Sequence, residues 1–227
     1  MAADYRIAVL ASGRGSNLQA IIDAIASGRL DAGLAGVFSD RPAAPALQRA
    51  RDAGIPAFGT APKEWPSREA YEAALFGQVA AAAPDLIVCA GYMRLIGPDT
   101  VSAWTGRMVN IHPSLLPAFR GLHTHRQALD AGATEHGCSV HFVTAELDGG
   151  PVISQARVPV LPDDDEDTLA ARVLAREHPL LLATLRLFAG HRLALSPDGV
   201  TLDGELLPAP LQPDSAGLLH RPELPPN

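Results

Sequence analysis

The stretch Arg6-Ile7-Ala8-Val9-Leu10-Ala11-Ser12-Gly13-Arg14-Gly15-Ser16-Asn17-Leu18 decides the fold. Its first six residues form a short apolar run that reads as a buried strand, and Ser12–Ser16 is a glycine-rich turn. Beyond it Leu18, Ile21, Ile22 and Ile25 recur at i, i+3, i+4 and i+7, one face of a helix closed by Ser27-Gly28. Strand, turn and helix in that order make the first half of a βαβ unit. The pattern then repeats: a strand at Ala35–Phe38, a helix near Ala43–Ala53, a short strand near Ile55–Phe58, and a helix from Ser67 as N-cap to about Ala83. Leu86-Ile87-Val88-Cys89-Ala90 is apolar on both faces, as a central parallel strand must be. Alternating strands and helices imply an α/β protein with a mostly parallel, twisted sheet of Rossmann-like βαβ units.

The second half differs in character. Strands are expected at Arg107–His112, Cys138–Val143 and about Val152–Val160, with a helix near Thr124–Ala131 and a long helix from Asp167 to Ala189 ended by Gly190. A hairpin of Leu193–Leu195 and Val200–Leu202 around Ser196-Pro197-Asp198-Gly199 follows. These elements give a C-terminal half with mixed or antiparallel strands. The expected division is 1–104 as a mononucleotide (phosphate)-binding half, 105–208 as a half carrying the reacting groups on a continuous sheet, and 209–227 as a Pro-rich tail of poor order. The acidic run Asp163–Asp167 reads as carboxylates that cap and charge-complement the start of the long helix.

At 227 residues with 47% hydrophobic side chains the chain can bury a full core. Cys89 and Cys138 lie in apolar stretches with no secretory signal, so buried thiols are expected rather than a disulfide. The longest apolar run near the N-terminus, Ile7–Ala11, is too short for a signal segment or a membrane span. A soluble cytoplasmic protein without membrane partners follows. The formal net charge of −7, with lysine nearly absent, argues against a nucleic-acid surface. An anionic small molecule remains compatible, because backbone N–H groups at a helix N-terminus hold phosphate inside acidic proteins too.

Three segments carry candidate chemistry. The turn Ser12-Gly13-Arg14-Gly15-Ser16-Asn17 fits either a phosphate cradle or an ordinary tight turn. It is no dinucleotide fingerprint, since in G-x-G-x-x-G register the third glycine falls on Leu18, and it lacks the Gly-Lys of a P-loop. In Asn110-Ile111-His112-Pro113-Ser114-Leu115-Leu116-Pro117, period-two alternation sends Asn110 and His112 to one face of a strand tip. A carboxamide donor beside an imidazole suits acyl transfer, and the same pair also fits a structural Asn beside a satisfied histidine. Asp148, in Thr144-Ala145-Glu146-Leu147-Asp148-Gly149-Gly150-Pro151, would favour a charged imidazolium if it lay near His112, or could simply serve the Asp-Gly turn. His112, His123, His125, His136 and His141 raise the question of zinc, but no H-E-x-x-H or Cys-x-x-Cys accompanies them, and no metal is expected. Nor is there a G-x-S-x-G elbow for a serine nucleophile.

Taken in order, Ser12–Gln19, Ser67–Tyr71, Gly91-Tyr92-Met93-Arg94, Asn110–Pro117, Leu122-His123-Thr124-His125 and Glu146–Pro151 resemble the folate-dependent glycinamide ribonucleotide formyltransferases of purine synthesis, over about residues 6 to 208. The resemblance implies formyl transfer from the co-substrate 10-formyltetrahydrofolate to the amine of glycinamide ribonucleotide, without a metal, by a monomer or homodimer. It implies Asn110, His112 and Asp148 as catalytic residues. Gly15, Ser16, Asn17, Met93 and Glu177 would bind the ribonucleotide. Arg68, Met93, Arg94, Leu95, Ile96, Asn110, Thr144, Ala145, Glu146, Leu147 and Asp148 would bind folate. A 10-formyltetrahydrofolate hydrolase uses the same trio, but carries an N-terminal regulatory domain for which a sheet beginning at Arg6 leaves no room. A binding module without turnover would not need all three reacting residues.

Overall fold

The computed structural model describes residues 4–222. In chain order the elements are β1 (Arg6–Leu10), α1 (Ser16–Ala26), β2 (Gly33–Ser39), α2 (Pro45–Asp52), β3 (Ala57–Gly59), a 3₁₀ turn (Pro62–Glu64), α3 (Arg68–Ala81), β4 (Leu86–Cys89), α4 (Pro98–Ala103), β5 (Met108–His112), α5 (Thr124–Asp130), β6 (Glu135–Phe142), β7 (Val152–Pro159), α6 (Glu166–Ala189), β8 (Leu193–Ser196), β9 (Gly199–Leu202), β10 (Glu205–Leu206), β11 (Gln212–Pro213) and β12 (Leu219–His220). The main sheet has seven strands in the order β3-β2-β1-β4-β5-β6-β7, and β8–β10 and β11–β12 form two small sheets. The chain divides into two compact units. One comprises the chain up to Asn110 with Val143–Ala145, and the other comprises Ile111–Phe142 with the chain from Glu146 onward.

In the first unit β1 pairs in parallel with β2 on one side and β4 on the other, β2 with β3, and β4 with β5. Ile7–Leu10 and Ile87–Val88 are wholly buried, which is why these stretches are apolar without a break rather than alternating. One face packs Ala8, Leu10, Phe38 and Ile87 against Tyr71, Leu75 and Val79 of α3. The order β3-β2-β1-β4 reverses direction between β1 and β4. The loops after these two strands therefore leave side by side at the carboxyl end of the sheet, the place where open α/β sheets hold ligands. Ser67 caps α3, its Oγ accepting from Ala70 N–H at 3.1 Å.

In the second unit β6 and β7 run antiparallel, and α6 supplies Leu169, Val173, Leu180, Leu181 and Leu185 to the core. The acidic run does what helix electrostatics ask. Asp165 closes a capping box with Thr168, and Asp164 receives both Arg172 amino groups while accepting Leu161 N–H. Cys89 and Cys138 are free and buried, and burial pushes the Cys89 thiol up to about 12 and also raises that of Cys138.

The structure departs from the sequence reading in its short elements and in the tail: the 3₁₀ turn, β10, β11 and β12 were not expected. The six-residue α4, begun by Pro98, is an element the periodicity does not announce. The tail expected to be poorly ordered is structured as far as it is described. Leu211 is completely buried, exchanging backbone hydrogen bonds with Ile153 and Gln155 of β7, and β11 and β12 pair behind it. One apolar anchor holds this Pro-rich segment, whose last residues, 223–227, lie outside the described residues. Leu211→Ala is expected to lower the unfolding free energy by about 2–5 kcal/mol, the usual cost of emptying a buried leucine site. Urea denaturation measures this, and a loss below about 0.5 kcal/mol would mean the anchor does not hold.

Candidate active site

The turn after β1 is built for close approach. Gly15 adopts φ 72° as the N-cap of α1, and a Cβ there would meet Ala46 Cβ at 2.8 Å, so only glycine fits. No side-chain hydrogen bond caps α1 and no acidic residue occupies its first turn, so its positive dipole end meets no carboxylate of its own and suits an anion. Arg49 braces the turn, donating to Arg14 O at 2.8 Å and to Gln19 Oε1 at 2.9 Å. Ser16 and Asn17 lie in the first turn of α1, Asn17 buried.

The loop after β4 carries Met93, Arg94, Leu95 and Ile96. Met93 and Leu95 expose 60% and 61% of their surface, a high value for apolar side chains so close to one another. The Arg94 guanidinium sits 5.2 Å over the Tyr71 ring. Arg68, at the first position of α3, pairs with Glu72 at 2.7 Å and donates to Leu95 O at 2.9 Å. Thr144 and Ala145 belong to this same unit, where the neighbouring Val143 N–H donates to Met108 O. Asn110 stands at the tip of β5, two residues before His112.

The second unit brings His112 and Asp148 together. His112 Nδ1 lies 3.6 Å from Asp148 Oδ2, both side chains being about nine-tenths buried, and His112 Nε2 lies 3.1 Å from Phe119 O. An oxygen atom faces each ring nitrogen. Asp148 is itself fixed. Its Oδ2 accepts Gly121 N–H at 2.8 Å, its backbone takes φ 47°, and a Cβ on the next residue, Gly149, would fall 2.4 Å from the Glu146 carboxyl. Glu146 pairs with Arg120, Leu147 is half exposed, and Glu177 lies on α6. After β5 the loop Ser114–Pro117 is held by Ser139, whose Oγ accepts Leu116 N–H and donates to Ser114 O, and by Gln155 on Leu116 O.

Sequence reasoning did not assign His141 to this group. It lies on β6 with Nε2 3.7 Å from Asp148 Oδ1 and Nδ1 2.9 Å from Phe142 O. Burial lowers its pKa, outweighing the upward pull of the Phe142 carbonyl and of Asp148, while the charges of His112 and Arg120 lower it further. Asp148 thus stands between two imidazoles, one of which is kept neutral. The signal was available only as another histidine in a buried strand. The pair His123-x-His125 separates: His123 caps α5 in a left-handed conformation, and His125 Nδ1 meets His136 Nε2 at 3.1 Å. No group of three or more potential metal ligands occurs among the described residues.

The β1/β4 switch point of the first unit and the buried imidazole–carboxylate pair of the second are each features of an α/β enzyme of group-transfer type. Residues 5–185 match the Formyl transferase family model, and the chain belongs to that family. It is 50% identical over 202 residues to the phosphoribosylglycinamide formyltransferase of Escherichia coli (strain K12), covering 89% of this chain and 95% of the relative. It is 47% identical over 195 residues to the trifunctional purine biosynthetic protein adenosine-3 of Drosophila melanogaster, covering 85% of this chain and 14% of that much longer relative. A solved phosphoribosylglycinamide formyltransferase from Coxiella burnetii superposes with a TM-score of 0.85 at 48% identity, covering 88% of this chain and 94% of that one.

The histidine cluster makes a pH prediction. Burial is the first cause lowering the pKa of His125, His136 and His141, His136 to about 4. Over the interval from the ordinary histidine value of about 6.5 downward, the unfolded chain binds protons that the folded chain refuses, so stability falls as pH drops through it. Asp164, held below its ordinary value by Arg172, acts in the same direction only at more acidic pH. Unfolding free energies from urea denaturation near neutrality and at about pH 5 should differ by up to about 1.4 kcal/mol per histidine per pH unit, and His136→Gln should lessen the difference. A midpoint that holds or rises toward acid contradicts this.

Proposed function

We propose that the protein transfers the formyl group of 10-formyltetrahydrofolate to the primary amine of glycinamide ribonucleotide, giving formylglycinamide ribonucleotide and tetrahydrofolate in purine synthesis, as a cytoplasmic enzyme needing no metal. The observation that carries this reading is the His112–Asp148 pair, buried and 3.6 Å apart, with Asn110 two residues upstream on the same strand. The names of its relatives support the choice of substrates.

The reaction begins with attack by the unprotonated amine on the formyl carbon. A C–N bond forms and the formyl oxygen takes the electron pair. Asn110, as an amide N–H donor, and His112, as an imidazolium, stabilise that oxyanion. The folate nitrogen can leave only with a proton, which His112 supplies or relays, while the former amine gives one up to solvent. Asp148 keeps the ring charged and oriented. Gly15, Ser16 and Asn17 hold the phosphate by N–H groups at the start of α1, Met93 offers backbone to the amine, and Glu177 accepts from sugar or glycinamide groups. Folate is taken by Arg68, by Met93–Ile96 and by Thr144–Asp148.

Purified protein with both substrates should show tetrahydrofolate formation that depends on the amine. Loss of formyl without the amine would make it a hydrolase, and no loss at all a binding module. His112→Ala should lower kcat by about 10²–10⁴-fold with substrate binding largely spared, the usual scale for a general acid. Near-normal turnover in that variant would remove His112 from the mechanism.

A further inference from the structure

The segment from Gly91 to Gly97 is tied down at both ends by side chains that the reading above leaves without a role. At its start the buried Ser12 makes two contacts: its N–H donates to Gly91 O at 3.0 Å, and its Oγ accepts Met93 N–H at 2.9 Å. At its far end Glu72, only 7% exposed, accepts Gly97 N–H at 2.8 Å on Oε2 and Arg68 Nε at 2.7 Å on Oε1, with the Thr100 hydroxyl at 3.3 Å. Next to its start the Tyr92 hydroxyl meets that of Tyr71 at 2.7 Å. The backbone is thereby fixed while Met93 and Leu95 stay exposed, the arrangement expected of a loop preorganised for a ligand.

The two fastenings differ in what they connect. Ser12 joins this loop to the glycine-rich turn, at the β1/β4 switch point. Glu72 joins it to Arg68 and has no tie to that turn. A buried carboxylate is costly unless its oxygens are bonded, and here its bonds go to Arg68, to the loop end at Gly97 and to Thr100 just beyond it in α4. Gly97 completes the fit, since a Cβ there would meet Glu72 Oε2 at 2.7 Å.

We propose that Ser12 and Glu72 are positioning residues for different substrates: Ser12 sets the loop for the amine-bearing ribonucleotide, and Glu72 sets Arg68 and the loop end for the folate. This rests on the proposed function, in which the glycine-rich turn takes the phosphate and Arg68 with Met93–Ile96 the folate.

The test is initial-rate kinetics with each substrate varied in turn. Ser12→Ala should raise KM for glycinamide ribonucleotide about tenfold and leave KM for 10-formyltetrahydrofolate within about twofold, the scale of one lost hydrogen bond. Glu72→Gln should do the reverse, and kcat should fall less than the affected KM rises. Ser12→Cys, a similar volume with a weak acceptor, and Gly97→Ala, which displaces the Glu72 carboxylate, address the same two fastenings should either first variant not fold. Equal shifts in both KM values, or no shift in either, in variants that unfold at the wild-type urea midpoint would overturn the proposal. An inactive wild type would overturn the functional reading and take the proposal with it, an outcome separate from the variants' behaviour.

Discussion

The parallel pairing of β1 with β4 is the constraint on which the nucleotide side of the molecule depends. Ile7 lies opposite Leu86 and Leu10 opposite Cys89, every one of these side chains is buried, and the ladder continues past the strands through Ala90 N–H on Leu10 O. Neither strand can slip without moving wholly apolar runs. The chain leaving β1 must turn sharply into α1, and the chain leaving β4 must do so next to it. An unscreened helix N-terminus and a rigid loop with exposed apolar side chains are therefore neighbours by topology, within one compact unit.

The His112–Asp148 pair rests on a second, local device. Asp148 is pinned by Gly121 N–H in a left-handed turn that Gly149 permits, and it faces one imidazole with each oxygen. Burial lowers the pKa of His141 against the upward pull of the Phe142 carbonyl and of Asp148. His112 is left with an acceptor on either nitrogen.

Much of this was legible in the residues. The βαβ order followed from apolar periods of two kinds, Ser67 announced α3, and Asn110, His112 and Asp148 each kept a structural alternative that only the family resemblance set aside. What escaped had physical reasons. The six residues of α4 are too few for a helical period to show, and Pro98 reads equally as a loop. The tail is Pro-rich, and its order hangs on the single buried Leu211, which composition averages away. His141 looks like any histidine in a buried strand until Asp148 is brought back to it from outside β6. Glu72 reads as an i,i+4 partner of Arg68 on a helix surface, and only the return of Gly97 reveals it as buried. Ser12 was quoted as part of a turn, yet its hydroxyl matters because β4 lies next to β1, a fact no local pattern contains.

The most direct test of the account is a crystal structure of the protein with glycinamide ribonucleotide bound. The account predicts the phosphate on the N–H groups of Gly15, Ser16 and Asn17, with the amine end directed to the Met93 backbone beside Ser12. A phosphate bound away from the start of α1, or a ribonucleotide pointing its amine away from the loop after β4, would contradict it.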